Sequence, residues 1–470
     1  MNLAGRIEQA LFGLYLVVLV WAPLPFASNR PWATGLLATL VGALLCAWLC
    51  LYLLRRVQVA VPVWRLAALP LAGLVLVQCW VLLQLVPLPR GLLDVLSPQA
   101  SLWHWGEGWR SLSLDQAYGG HYLLRGLTLS AAFFLVLALI NSTSRVRLLL
   151  QVLVFSGTFQ AVYGSLMVLS GLELGFFVEK YTGRGLATGT FVNRNHLAGY
   201  LVMCLSAGIG LMFAQWVPRQ GGGWRGSSRR WLQMLLSGAF RLRIYLALMV
   251  IALVLTRSRM GNLSFFLALV AAGLVATYAG QRFSRRILAL LASLFLLDML
   301  VLGQWFGFDR LLQRFTGSPV GEESRLWSST YTLDYIAHFP LTGSGGGSFY
   351  GVFHNFQQER LEGFHVHAHN DYLEFAAELG IPVALLLMAI VLRGLHCAVD
   401  ALRERRHPLL RGAAFAVIMT MAWAALHALT DFNFQIPANA LTFVTLLALA
   451  FVCRALPVAK RGEGQVQDRS

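Results

Sequence analysis

The chain has 470 residues, of which 57% are hydrophobic and only 12% are charged, and its formal net charge is +16 at pH 7. Soluble globular proteins carry about 25% charged residues, so this composition excludes that class and indicates an integral membrane protein. The excess of Lys and Arg does not require nucleic acid as a partner, because membrane proteins retain basic residues in their cytoplasmic loops. We therefore predict one integral membrane domain over residues 1–470.

Apolar segments recur along the whole chain, and several reach the roughly 20 residues that a helix needs to cross about 30 Å of hydrocarbon. One Arg precedes the first segment and no small-residue cleavage site follows it, so we expect this segment to remain as an anchor. The predicted fold class is all-α and polytopic, with about twelve transmembrane helices. The predicted spans are 10–26, 33–54, 66–86, 127–141, 148–169, 197–217, 244–256, 263–279, 287–306, 372–392, 413–429 and 440–451.

The cysteines carry no functional signal. No Cys-x-x-Cys pair is present to indicate a zinc site or redox chemistry, and all six lie in or beside apolar runs. We interpret them as small apolar core residues. They are Cys46, Cys50, Cys79, Cys204, Cys397 and Cys453.

A cytoplasmic N-terminus places all the major basic loops on one side of the membrane, as the positive-inside rule requires. These inside segments are Arg55/Arg56, Arg145/Arg147, the basic loop 218–243, Arg282/Arg285/Arg286, the Arg403–His407 loop and the tail 457–470. Both termini are then cytoplasmic. The long or polar segments 87–126, 172–196 and 307–370 lie on the opposite side, and we predict that the last is a mostly helical loop over the mouth of the bundle.

Four short polar motifs fall at the same exterior depth in this topology. The first is Gly189-Thr-Phe-Val-Asn-Arg-Asn-His196, where an apolar helix begins after a run of polar residues. Arg194 beside a helix N-terminus suits an anion, because the donors and the helix dipole point the same way. The alternative is that Asn193 or Asn195 caps the helix while Arg194 extends to the membrane interface.

The second and third motifs add further arginines. Arg257 and Arg259 stand between two apolar runs, where charge is costly and usually functional. Two guanidinium groups this close suit a polyanion such as a diphosphate, although a purely topological role is the alternative. Arg325 lies in Ser-Arg-Leu-Trp, ahead of a glycine-rich segment over residues 343–347 that is either a phosphate-binding nest or a flexible turn.

The fourth motif is His365-Val-His-Ala-His-Asn-Asp-Tyr-Leu-Glu374, which leads directly into an apolar run. Its alternating histidines can bind a metal ion if the segment is extended, or one of them can act as a general base. Asn370 and Asp371 are polar neighbours that can support such a base. Asp431, in a last polar break before residue 440, faces the same side and can pair with an Arg or a His.

Taken in order, the GTFxNxN-type segment, the T-x-S-R segment, the S-R-x-W segment and the HAHNDYLE segment resemble the O-antigen ligase and polymerase superfamily. The resemblance covers about residues 189–439 and is most specific in the HAHNDYLE segment. It implies a helical GT-C-like fold in the bacterial inner membrane, with an active site that faces the periplasm under a periplasmic loop over 307–370. It also implies inverting transfer of a glycan from a polyprenyl (undecaprenyl) diphosphate carrier to an acceptor hydroxyl, with no cofactor and no metal.

By motif, the resemblance implies that Arg194, Arg257, Arg259 and Arg325 bind the donor diphosphate. It implies that His369 is the catalytic base, with His367 as the second choice. Asn193, Asn370, Asp371 and Asp431 would support them. The acceptor is expected to be lipid A core for a ligase or a growing glycan for a polymerase, with a slight preference for the ligase, and membrane lipid is the other expected partner.

Two other classes remain open from the residues. A transporter or flippase is compatible with twelve spans. However, the middle of the spans generally lacks ionisable residues, with Asp298 as the exception, and no inverted repeat is present. A zinc-dependent membrane enzyme would use His365, His367 and His369, and chelation would abolish its activity.

Overall fold

The computed structural model describes residues 3–57, 59–104, 108–214, 238–281, 320–361 and 363–457. The structure is about 75% helical and almost free of sheet, which confirms the prediction of an all-α polytopic membrane protein. In the first half the helices are α1 (Leu3–Trp21), α2 (Pro31–Leu53), α3 (Val61–Leu85), α4 (Arg90–Leu96), α5 (Pro98–Trp103), α6 (Gln116–Leu139), α7 (Thr143–Leu169) and α8 (Arg194–Ala214). Strands β1 (Leu174–Gly175) and β2 (Val178–Glu179) form a small antiparallel hairpin between α7 and α8.

The second half of the chain continues the bundle and adds the exterior helices. Its helices are α9 (Gly238–Leu255), α10 (Arg259–Tyr278), α11 (Val320–His338), α12 (Phe349–Val352), α13 (Asp371–Leu379), α14 (Ile381–Glu404), α15 (Pro408–His427) and α16 (Pro437–Ala455). Short 3₁₀ turns lie at Phe26–Ser28, Phe353–Asn355 and Asn433–Gln435.

Ten of the described helices are long and apolar enough to cross a membrane, namely α1, α2, α3, α6, α7, α8, α10, α14, α15 and α16. Helix α9 has 18 residues and covers the predicted span 244–256. The predicted span 287–306, which contains Asp298, lies outside the described residues, as do most of the loop 218–243 and nearly all of the tail 457–470. The other predicted spans each overlap a helix.

The predicted span 372–392 is wrong in its boundaries. Helix α13 ends at Leu379, Gly380 takes φ +83°, and a separate helix with Pro382 in its first turn runs on to Glu404. A side chain at Gly380 would overlap the carbonyl of Leu341, so glycine is required there by both backbone conformation and space. The membrane-spanning helix is therefore α14, and α13 with its buried acidic residues precedes it.

The core of the bundle consists of α8, α15 and α16. Over their most apolar windows these helices are 83%, 78% and 83% buried, whereas α2 and α3 are each only 28% buried. Helix α1 joins this core through a hydrogen bond between Tyr15 Oη and Thr445 Oγ1 (2.8 Å). Helices α8 and α16 begin at the end of the bundle where α15 finishes. The polar residues at these three helix ends are therefore brought together at that end of the bundle.

Segments outside the ten candidate spans form a second, smaller core, the exterior unit. Aromatic side chains from α11, α12 and the following turn, among them Tyr335, Phe339, Phe349 and Phe353, pack with Leu88, Leu93 and Leu112 of the segment between α3 and α6. The described part of the predicted loop 307–370 is thus an ordered unit built from helices and turns, and residues 307–319 lie outside the described residues.

The cysteines divide into two groups. Cys204, Cys397 and Cys453 are buried in the bundle, in agreement with their interpretation as core residues. Cys46, Cys50 and Cys79 are exposed on α2 and α3, so that interpretation is wrong for them. These two helices are among the least covered by protein, because their outer faces are left for lipid.

Candidate active site

Asp431 lies at the centre of the polar end of the bundle, in the turn between α15 and α16. Its side chain is buried, and its Oδ2 accepts a hydrogen bond from Asn195 Nδ2 at 2.6 Å. Its Oδ1 lies 3.5 Å from His196 Nε2 and 4.0 Å from His369 Nδ1. This one carboxylate therefore joins the first and fourth sequence motifs.

The start of α8 is shaped by its own polar residues. Asn193 Oδ1 accepts the backbone N–H of Asn195 at 2.8 Å, which is the capping role given above as an alternative for this position. Asn439 Nδ2 donates to the carbonyl of His196 (2.9 Å) and to Asn433 Oδ1 (2.8 Å), and so ties α8 to α16. Arg194 begins the helix and is solvent-exposed.

The histidine loop is fixed by a carboxylate from the helix that follows it. Glu374 is buried in the first turn of α13; its Oε1 lies 2.7 Å from His367 Nδ1, and its Oε2 accepts the N–H of Ala368 at 2.9 Å. Asn370 caps the same helix by accepting the N–H groups of Tyr372 (3.1 Å) and Leu373 (3.2 Å). Glu374 therefore fixes the loop at His367 and Ala368, and Asn370 fixes it where α13 begins.

Phe432 brings three histidine rings together. Its ring centroid lies 4.1 Å from that of His367 in a stacked arrangement, and 4.7 and 4.9 Å from those of His196 and His369 in edge-on arrangements. Its backbone N–H donates to Asp431 Oδ1 at 2.9 Å. An apolar ring in this position keeps water from the buried sides of the imidazoles.

Arg257, Arg259 and Arg325 all lie within electrostatic range of Arg194. The charges of Arg325, Arg259 and Arg257 all act on the guanidinium of Arg194, and so does the charge of Asp431. Arg325 also acts on His369. Arg257 takes a left-handed φ of +50°, and Ser258 then caps α10 by accepting the N–H of Gly261 at 3.1 Å. Within the described part of the chain, neither Arg194 nor Arg325 forms an ion pair with a carboxylate.

The pKa values of the two central titratable groups, His369 and Asp431, both lie below their usual ranges. Burial lowers the pKa of His369 to about 4, against the opposing effect of the Asp431 charge. Burial acts to raise the pKa of Asp431, but its contacts with His196, His427 and His369 outweigh burial and hold that pKa below its usual range. At neutral pH the site therefore contains a neutral His369 beside an ionised Asp431.

Asp371 lies beneath the site and does not reach the arginines. Its backbone N–H donates to the carbonyl of Ala428 (2.9 Å), and its Oδ2 accepts the N–H of Phe434 (3.2 Å). Burial, followed by the nearby charge of Glu374, raises the pKa of Asp371 well above its usual value. These contacts join α13 to the turn that carries Asp431.

The glycine-rich segment is not arranged as a phosphate-binding nest. The N–H groups of Ser344 and Gly345 donate to the carbonyls of Ala377 and Glu378, both at 3.0 Å, and the N–H of Gly346 donates to Gln84 Oε1 at 3.2 Å. The donors that would contact an anion are therefore used within the protein. A side chain at Gly345 would overlap Ser113, so close packing explains the glycine there.

The predicted site residues have three direct neighbours that the sequence analysis did not assign to the site. Glu374, His196 and Phe432 contact the predicted residues directly. Each lies in or beside a motif found in the sequence, but none was assigned a role. Among the residues that the structure describes, no group of three or more His, Cys, Asp or Glu side chains is arranged to hold a metal ion.

A sequence profile of the O-antigen ligase family, Wzy_C, matches residues 244–388. The match includes Arg257, Arg259, Arg325, His367 and His369, and it confirms the resemblance to the O-antigen ligase and polymerase superfamily. It supports an activity of the O-antigen ligase or polymerase type in a multi-pass membrane protein. No curated protein matches the chain with significance.

Proposed function

We propose that the protein transfers a glycan from a polyprenyl diphosphate carrier to an acceptor hydroxyl, at the periplasmic face of the bacterial inner membrane. The observation that carries the proposal is that the charges of Arg257, Arg259 and Arg325 act on Arg194, while the Arg325 charge also acts on a neutral His369 that lies 4.0 Å from Asp431. An anionic lipid headgroup requires permanent cations at the membrane surface, and attack by a hydroxyl requires a base beside them.

The arginines are assigned to the donor. Arg194, Arg257, Arg259 and Arg325 supply guanidinium groups, which bind phosphate oxygens in pairs. Their positive charge stabilises the diphosphate as it leaves the anomeric carbon. Arg194 and Arg325, which form no ion pair with a described carboxylate, retain charge that a diphosphate can neutralise.

His369 is assigned as the base. It is neutral because its pKa is lowered to about 4 by burial, and its side chain keeps 28% of its surface exposed. In the proposed step, the acceptor oxygen bonds to the anomeric carbon as the bond from that carbon to the diphosphate oxygen breaks. The hydroxyl proton passes to His369, and the configuration at the anomeric carbon is inverted.

His367 is the second candidate for the base. The short contact between its Nδ1 and Glu374 fixes one ring nitrogen, which leaves Nε2 for a proton. Asp431 supports His369 in a similar but looser way, since the two side chains lie 4.0 Å apart. No step in this scheme needs a cofactor or a metal ion.

The acceptor separates two versions of the reaction. A ligase transfers the glycan to lipid A core, and this version agrees with the description of the matching family. A polymerase transfers it to a carrier-linked glycan, and the Asp431-Phe-Asn-Phe-Gln-Ile-Pro-Ala-Asn439 segment suits this version as well.

A transfer assay tests the proposal. Purified protein is mixed with polyprenyl-diphosphate-linked glycan, lipid A core and excess chelator, and transfer is followed for wild type, Arg259→Ala and His369→Ala. Arg184→Ala is the matched control, because Arg184 is an exposed arginine whose ion pair with Glu179 lies in the other exterior loop. Transfer to lipid A core that is lost only in the first two variants supports a ligase, and longer carrier-linked chains support a polymerase. Absence of transfer to any acceptor contradicts the proposal.

A further inference from the structure

Three exposed aromatic rings from separate parts of the chain meet on the exterior unit. The ring centroids of Tyr118 and Tyr350 are 5.5 Å apart, and those of Tyr350 and Phe364 are 5.0 Å apart. Their exposed fractions are 49%, 38% and 58%. Tyr118 lies in the first turn of α6, Tyr350 in α12 and Phe364 in the histidine loop.

This aromatic cluster is continuous with the candidate active site. Phe364 directly precedes His365, whose ring centroid lies 6.5 Å from that of His369. The rings of Phe364 and His354 are also in contact, at 3.9 Å between centroids. A chain bound along these rings would therefore end at the proposed catalytic base.

A carboxylate stands beside two of the rings. Asp115 Oδ1 accepts the N–H of Tyr118 at 3.1 Å and caps α6. Asp115 Oδ2 lies 3.3 Å from the position that a Cβ at Gly351 would take, and Gly351 follows Tyr350 in the chain. Asp115 is partly exposed. The cluster thus offers flat apolar faces together with a hydrogen-bond acceptor.

That combination suits a carbohydrate. The C–H faces of a sugar ring pack on aromatic faces, and its hydroxyl groups donate to carboxylates and to Tyr hydroxyls. An acyl chain would use the rings but has no hydroxyl group to donate to the carboxylate. We propose that Tyr118, Tyr350 and Phe364 form an aromatic track that binds the glycan chain of the lipid-linked substrate beyond the reacting atoms. This inference rests on the proposed function for the identity of the chain.

The test compares substrates of different length. Lipid-linked glycan is extracted from cells that lack the protein and separated into short and long chains. The full-length protein is assayed as wild type, Tyr350→Ala and Phe364→Ala. We expect KM for long chains to rise about three- to tenfold per lost ring, with kcat and the KM for short chains within about twofold of wild type.

Two kinds of control separate binding from folding. Phe364→Tyr keeps the ring and should retain the wild-type KM, whereas Tyr350→Phe keeps the ring but loses one hydroxyl and should lie closer to wild type than Tyr350→Ala. Phe177→Ala removes a ring that is 82% exposed on the hairpin between α7 and α8, away from the track, and should leave KM unchanged. The track is refuted if the variants change KM equally for short and long chains. It is also refuted if Phe177→Ala raises KM as much as the track variants do, which is the result expected of an aromatic belt at the membrane interface.

A binding measurement keeps the inference independent of the reaction. Glycan released from its lipid by mild acid is titrated into wild type and Phe364→Ala. Weaker binding by the variant supports the track even if wild type shows no transfer, in which case the proposed function alone fails. Equal binding overturns the track whether or not transfer occurs.

Discussion

Glu374 Oε1 lies 2.7 Å from His367 Nδ1, and the second oxygen of the same carboxylate accepts the N–H of Ala368 at 2.9 Å. A buried carboxylate with two such partners fixes the ring nitrogen that carries the proton and the path of the backbone towards His369. His369 itself takes a left-handed φ of +52°, a conformation that costs a non-glycine residue about 1 kcal/mol and needs support from its surroundings.

Replacing Glu374 should therefore reduce kcat more than it changes the KM for the donor. We expect Glu374→Ala to lower kcat about 10- to 100-fold, the effect of losing a charge-assisted hydrogen bond. Glu374→Gln should fall between wild type and Glu374→Ala, because an amide oxygen can still accept the N–H of Ala368. Steady-state kinetics measure kcat and KM for these variants. Glu359→Gln is the control, because Glu359 is an exposed residue of the same exterior unit. A wild-type kcat in Glu374→Ala would remove the positioning role.

The pH dependence of transfer should reflect the pKa of His369. A base acts in its neutral form, and burial lowers the pKa of His369 to about 4, so its contribution is fully present at neutral pH and is lost only as the pH falls through about 4. We expect kcat/KM to stay flat from about pH 8 to about pH 5. A break near pH 6.5, the usual pKa of histidine, would point to a more exposed histidine as the base.

Asp431→Asn should weaken transfer while preserving the fold. The amide can keep the shape of the contact with Asn195, but the charge that favours protonation of His369 is lost. Because the Asp431 charge raises the pKa of His369, the acid limb of the kcat/KM profile should move to lower pH, and kcat should fall about tenfold or more. The pH profiles of wild type and variant, measured side by side, provide the check. An unchanged limb would show that the two groups do not interact during the reaction.

Arg325→Ala should raise the donor KM and lower kcat, each about tenfold, since the diphosphate gains charge as it leaves. Arg325→Lys should recover only part of the loss, because an ammonium group lacks the planar fork. Donor-dependent kinetics give both constants, and Arg184→Ala again serves as the control. Full recovery by Lys would mean that charge alone, without paired hydrogen bonds, suffices at this position.

Gly345→Ala should destabilise the exterior unit. Gly345 takes φ +107°, and a Cβ there would overlap Ser113, so the substitution combines backbone strain with a steric clash, together about 2 kcal/mol or more. Gly363→Ala is the matched control: Gly363 takes φ +85° with no atom within 4 Å of the added Cβ, so only the strain of about 1 kcal/mol applies. Thermal unfolding in detergent should show the larger fall in Tm for Gly345→Ala. Equal falls would show that the clash is relieved at no cost.

Much of the fold could be predicted because the bilayer imposes simple rules on sequence. A helix that crosses hydrocarbon must be apolar for about 20 residues, so the spans and their approximate ends can be read directly. The predicted span 372–392 passed over the break at Gly380, although Glu374 and Glu378 lie within its first turns, and hydropathy could not predict that Asp371, Glu374 and Glu378 are buried. Their burial depends on partners from distant segments.

The residue types of the candidate site could also be predicted, because arginine and histidine beside apolar runs are costly unless they have a function. Their roles could not. The sequence placed Asn193, Arg194 and His369 on one face without showing that Asn193 is a cap, or that Asp431 contacts both the start of α8 and the histidine loop.

The sequence by itself determined that this is an all-α polytopic membrane protein, because composition and the spacing of apolar runs along the chain carry that information. Only the tertiary structure decided which side chains of the candidate site touch. The contacts of Glu374 with His367 and of Phe432 with His196 and His369 depend on how α8, α13 and the turn after α15 pack in three dimensions. Such packing is set by the shapes of many side chains at once, so no local pattern records it.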